Sequence, residues 1–136
     1  MLDVTLIGTG GALPLKDRFL SSCLMKYNGA SFLFDCGEGT QISLRRQKIS
    51  LNRINTICIT HCHADHASGL PGLLLSMGND MRTEPVTLIG PAGFSRVLHS
   101  LLIIARELPF SLNVIELKQK CEVFEIDGCR LSAFRV

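Results

Sequence analysis

Ile54–Leu74, INTICITHCHADHASGLPGLL, is the stretch whose reading decides the fold. Its first six residues form an apolar run of strand length, the pattern of a strand covered on both faces. From Ala67 onward, ASGLPGLLLSMG reads as a helix, with glycines and a proline near the start. Between them lie three of the chain's four histidines, His61, His63 and His66, with Asp65 beside the last. In α/β proteins the carboxyl end of a strand is where ligands usually bind. Residues two apart in an extended segment point the same way, so His61 and His63 can approach one metal ion while Cys62 points away into packing. Asp65 and His66 fall where the chain turns into the helix, and four ligands from six residues can hardly surround one ion. A second ion close by is their natural role, and two ions about 3.5–4 Å apart suit a phosphate displacement. Imidazole with carboxylate favours zinc over calcium or magnesium. The bland alternative is a group of ordinary polar loop residues.

Asp35, in SFLFDCGEGTQ, ends a second apolar strand and precedes two glycines that permit a tight turn into a helix. A carboxylate there either orients a metal-bound imidazole or caps the amino terminus of the following helix. Gly8, Gly10 and Gly11 suggest a phosphate loop, but GTGGAL lacks the third glycine of GxGxxG and no GK[ST] follows. His99 sits on the polar side of its helix and reads as a surface histidine.

Working outward, DVTLIG and SCLMKYNGASFLFD read as strands, the second split into a hairpin by Asn28-Gly29. GEGTQISLRRQK is a short helix and EPVTLIG a strand. GFSRVLHSLLIIARELP carries the clearest helical period, with Phe94, Val97, Leu98, Leu101, Leu102, Ile104, Ala105 and Leu108 on one face and Ile103 alone among the polar residues of the other. The tail from Leu112 predicts three short strands, the last two joined at Asp127-Gly128. Strands and helices alternate in the middle, so the class is α/β.

At 136 residues, 46% hydrophobic and 19% charged, the chain is one ordinary domain rather than a disordered segment. A net charge of +2 is too small to announce a nucleic-acid surface. The first residues lack the pattern of a signal peptide and no apolar run reaches membrane-spanning length. The six cysteines, with no CxxC among them, are expected to be reduced and mostly buried in a cytoplasmic protein.

THCHADH carries the HxHxDH signature of the metallo-β-lactamase superfamily. Together with LIGTGGALP, FDCGEGTQ, THCHADHASGLPGLL and LIGPAGF, it resembles the ribonuclease Z family of zinc endonucleases, which trim tRNA precursors at their 3′ ends. The resemblance implies an αββα four-layer sandwich, of which this chain supplies about one βα half. It implies that His61 and His63 bind one zinc, Asp65 and His66 a second, that Asp65 also transfers a proton, and that Asp35 supports the site. It also implies a tRNA precursor as partner and homodimers.

Members of that family are longer. They draw a third histidine, placed just beyond LSAFRV, a bridging aspartate and a last histidine from later in the chain. Two protein ligands per zinc fall short of the usual three, so weak or absent metal binding and an inactive chain are expected. The inner face of the sheet would also lack its cover, leaving a second copy, a separate carboxyl-terminal piece or the tail strands to hide it. Three readings follow: part of a tRNA 3′ endonuclease, another phosphodiesterase of the superfamily, or a non-enzymatic module that binds a metal or partner.

Overall fold

The computed structural model describes residues 1–135. The apolar alternations condense into a six-stranded sheet of β1 (Leu2–Gly8), β2 (Ser22–Tyr27), β3 (Ala30–Phe34), β4 (Thr56–Cys58), β5 (Val86–Gly90) and β6 (Leu112–Glu116), adjacent in that order. The first three strands are antiparallel, and β3 to β6 run parallel. Asn28 and Gly29, both at positive φ, make the predicted turn between β2 and β3. The run 54–59 yields only three residues of strand, with Ile57 fully buried.

Helices α1 (Thr40–Arg46), α2 (Ala64–Ala67), α3 (Leu70–Asn79) and α4 (Phe94–Leu101) occupy the crossovers. Leu44 of α1, Leu73, Leu74 and Met77 of α3 and Leu98 of α4 pack with Leu24, Leu33, Ile57 and Leu88 of the sheet into one core. The period that predicts a helix to Leu108 breaks after Leu101, where a 3₁₀ turn takes over, and Ile104 is 79% exposed instead of buried. Pro109 disfavours helix at the residue before it, and Phe110 must reach its buried place beside α3, where Pro109 packs close to Gly78.

The tail pairs as β7 (Cys121–Ile126) and β8 (Cys129–Phe134) in a separate two-stranded sheet. Ile126, Cys129 and Leu131 of this hairpin pack on Met25, Phe32 and Phe34, on the opposite face of the main sheet from the core helices. Of the three covers expected for that face, the tail strands provide one over β2 and β3. The register continues the same face onto β1 through Leu2, Val4 and Leu6, each more than half exposed. The chain thus supplies a helix layer, a full sheet and the beginning of a second sheet. Among the described residues no helix is long and apolar enough to cross a membrane. All six cysteines are free, but only Cys36 and Cys129 are buried, Cys121 is exposed and the others lie between, so the expectation of mostly buried thiols is corrected.

Candidate functional site

The site grows from the carboxyl ends of β3 and β4. Asp35, immediately after β3, adopts φ 59°, a left-handed conformation that aspartate tolerates better than most residues. Backbone bonds hold it there: its N–H donates to the Cys58 carbonyl (2.8 Å), and the Ser22 hydroxyl donates to its own carbonyl (2.9 Å). The side chain is directed away from α1. That helix starts at Gly39 with no side-chain cap, so the alternative of Asp35 as a capping carboxylate falls.

What Asp35 does instead is accept hydrogen bonds from the histidine segment. His66 Nδ1 lies 2.7 Å from Asp35 Oδ2. The Thr60 N–H donates to Oδ1 (2.8 Å) and the Thr60 hydroxyl to both carboxylate oxygens (2.9 Å each). Since the carboxylate only accepts, His66 carries a proton on Nδ1, which in the neutral ring leaves the lone pair on Nε2. The hydroxyl proton of Thr60 is spent on Asp35, so His61 Nδ1, 3.1 Å from that hydroxyl, is the donor of their contact. His61 therefore also presents a bare Nε2. One carboxylate, acting directly and through Thr60, sets the tautomer of two imidazoles.

The rings gather: His61 lies 4.0 Å from His66 and 4.7 Å from His63, centroid to centroid. His66 Nε2 is 3.4 Å from Asp65 Oδ2, and the two side chains are 19% and 14% exposed. In the neutral tautomer this sets two acceptors face to face, an arrangement that only a proton or a cation between them relieves. His63 stands exposed at the start of α2, and Cys62 packs against the main core. His99 lies exposed on α4, away from the cluster. Among the described residues, no three His, Cys, Asp or Glu side chains converge closely enough to hold an ion by themselves.

The approach of α2 to the β3 loop is main chain against main chain. Cys36 N–H donates to the His66 carbonyl (2.7 Å) and Gly69 N–H to the Cys36 carbonyl (2.8 Å). A Cβ on Gly37 would lie 2.4 Å from the Asp65 carbonyl oxygen, and one on Gly69 2.1 Å from that of Gly37. Neither position admits a side chain. Gly8 and Gly10 crowd the backbone at Phe19 and Leu20 instead. Burial raises the Cys36 and Cys58 thiols to about 12, with the charge of Asp35 adding to the effect, so neither is a thiolate at neutral pH.

Thr60 was missed in the reading of the sequence. Its one signal is its place between the strand and the first histidine, while its partner lies 25 residues away. Beside Thr60 and His61 opens a cleft of about 440 Å³, walled by Pro91, Leu117 and Phe134 and carrying Lys118, Lys120 and Arg135.

The family model described as Anti-Pycsar protein Apyc1 matches residues 2–132. The ribonuclease Z of Agathobacter rectalis is 55% identical over all 136 residues, which span 45% of that relative. Among solved structures, the short form of human tRNase Z superposes on the whole chain and on 60% of its own, with a TM-score of 0.84 at 31% identity. The metallo-β-lactamase fold protein YhfI from Bacillus subtilis matches 93% of the chain and 50% of its own, with a TM-score of 0.73 at 18% identity, which speaks to fold alone. The chain spans about half the length of the relatives it matches. With the histidine cluster in its strand–turn–helix setting, these likenesses place the chain in the family described as Anti-Pycsar protein Apyc1, with the metallo-β-lactamase fold and a sequence akin to about half of a ribonuclease Z.

Proposed function

We propose that this chain is the histidine-bearing half of a zinc-dependent endoribonuclease that matures the 3′ end of tRNA precursors by phosphodiester hydrolysis. The observation that carries the reading is the pair His66 Nε2 and Asp65 Oδ2, facing each other at 3.4 Å with Asp35 bonded behind His66. Neutral imidazole lone pairs and a carboxylate fit a borderline divalent metal. In this reading His61 and His63 hold one zinc, and Asp65 and His66 a second. Zinc, when bound, acidifies water and offsets negative charge on phosphoryl oxygens.

Each residue then has a task. Asp35 keeps both Nε2 atoms free to coordinate, directly for His66 and through Thr60 for His61. Asp65 Oδ2 takes a proton from the attacking water and returns it to the leaving oxygen. Lys118, Lys120 and Arg135 offer positive charge to the phosphodiester in the adjoining cleft.

Two donors per ion leave each below the three that catalytic zinc usually has, so the remaining ligands come from outside these residues and the chain by itself is inactive. The same complement would cover Leu2, Val4 and Leu6 on the open part of the sheet, and the complete enzyme pairs as a homodimer in the cytoplasm. The free thiols among the described residues agree with a reducing compartment.

A second reading, another hydrolase of the same fold, is kept open by the family model, whose description names an anti-Pycsar protein and no ribonuclease. One experiment separates them: a 3′-extended tRNA precursor is offered to the chain alone, and to the chain mixed with the remaining half of its Agathobacter relative. Cleavage only in the mixture, at the 3′ end and dependent on zinc, is the expected result. Cleavage by the chain alone refutes the missing-ligand argument. A mixture that leaves the precursor intact but hydrolyses a simple phosphodiester favours the second reading.

A further inference from the structure

A second polar site lies at the other end of the strands. Lys26 on β2 and Ser31 on β3 are paired across the hairpin. Both point to the helix-covered face, where Lys48, Ser50 and Arg53 close round them a cleft of about 270 Å³. Ser31 is only 4% exposed, yet its hydroxyl has no hydrogen-bond partner among the described residues although it lines the cleft. The hydroxyl opens onto the cleft and is free to donate to whatever enters it.

The rim is unsatisfied in charge as well. Among the described residues the ion pairs involve Arg45, His66, Asp35, Asp65 and Asp80, and none reaches Lys26, Lys48 or Arg53. Three cations thus face one small space with no carboxylate within 4.0 Å of any of them. Lys48 is also held at φ 57°, in the left-handed position that closes α1. Its N–H donates to the Arg45 carbonyl (3.0 Å), and that of Ile49 donates to Leu44 (3.0 Å). Glycine is the residue this position favours, so Lys48 sits here against backbone preference.

We infer that this cleft binds a phosphoryl group, with the Ser31 hydroxyl as a donor in its lining and Lys26, Lys48 and Arg53 as its cationic rim. The site lies about 13 Å along β3 from Asp35, at ~3.3 Å per residue, and is separate from the histidine cluster. It does not depend on the reading of that cluster. Two sources share the chemistry: a free phosphorylated small molecule, or a phosphate of a polynucleotide backbone.

The test is titration of the 15N-labelled chain with inorganic phosphate and, separately, with a short single-stranded RNA. Phosphate should move the amides of Ser31, Lys48, Ser50 and Arg53 and leave those of His61 to His66 unmoved. Tighter binding of RNA than of phosphate at equal salt points to a backbone, and equal affinity points to a small molecule. Lys48→Gly, which suits the left-handed backbone and so preserves the fold, should weaken phosphate about tenfold through loss of a charge-assisted bond. Ser31→Ala and the double variant Lys26→Gln/Arg53→Gln provide independent checks, with circular dichroism confirming the fold. No shift with phosphate, shifts spread evenly over all lysines and arginines, or unchanged affinity in these variants overturns the inference.

Discussion

The two ends of the parallel strands treat buried polar groups in opposite ways. At the amino end, the Arg82 guanidinium is 3% exposed and spends all its donors inside the protein. Nε donates to the Glu84 carbonyl, Nη1 to those of Asn52 and Ile54, and Nη2 to Asn55 Oδ1 and the Pro85 carbonyl, at 2.7–3.1 Å. Burial lowers its pKa, but five acceptors keep the charge in place. At the carboxyl end, Asp35 is equally well bonded, yet the network it anchors finishes in imidazole Nε2 atoms with no protein donor and a facing carboxylate. A closed network staples loops together. An open one leaves acceptors for a ligand, and the difference sets the carboxyl end apart without any appeal to sequence likeness.

If that contrast is right, removing Arg82 should cost the most stability. Arg82→Ala strands five acceptors and is expected to lower unfolding free energy by about 3 kcal/mol or more. Urea denaturation measures it, and a loss below about 1 kcal/mol would break the comparison. Lys in place of Arg82 should recover only part, since an ammonium cannot reach acceptors in a planar fork.

Asp35→Asn should cost less, about 1–2 kcal/mol, because asparagine accepts the left-handed backbone and keeps one acceptor. Its signature is chemical: the amide no longer fixes the imidazoles, so the 15N shifts of His66 and His61 should move toward mixed tautomers. Shifts identical to those of the parent would detach Asp35 from both histidines.

Thiol chemistry sharpens the contrast between closed and open regions. With pKa values near 12, Cys36 and Cys58 should resist alkylation at pH 8, while exposed Cys121 reacts within the same assay. Peptide mapping reads the order directly, and early labelling of Cys36 would show that the Asp35 loop opens.

The smallest effect belongs to Glu116, whose Oε1 accepts the Ser95 N–H (2.6 Å) at the start of α4. That bond holds its carboxyl below the usual range. A depressed folded-state pKa stabilises above the unfolded value of about 4.3 and is lost as pH falls through the lower folded value. Glu116→Gln should therefore lower Tm slightly at pH 7 and not at all at pH 2, as thermal melts at both would record.

Much of this was legible in the sequence, for local reasons. Asn28-Gly29 specifies its turn, and the run 54–59 followed by histidines and a helix specifies a strand end with the histidine cluster on it. The carboxyl half of the Phe94 helix was misread because periodicity registers apolar spacing and not the pull of Phe110 toward α3. Asp35 was left between two roles by its neighbours alone, and only the fold shows which donors reach it. The cleft at Ser31 and Lys48 escaped notice because its members come from three elements whose meeting no spacing announces.

The glycine contact between the β3 loop and the start of α3 has a bearing on how damage elsewhere would show itself. Because peptide groups touch there without intervening rotamers, the spacing of Asp35 from the Asp65 segment does not depend on any side-chain conformation. Core substitutions far from it should reduce how many molecules are folded while leaving the dimensions of the site in the survivors intact. Residual function per folded molecule would then stay constant, and apparent losses would follow abundance rather than chemistry.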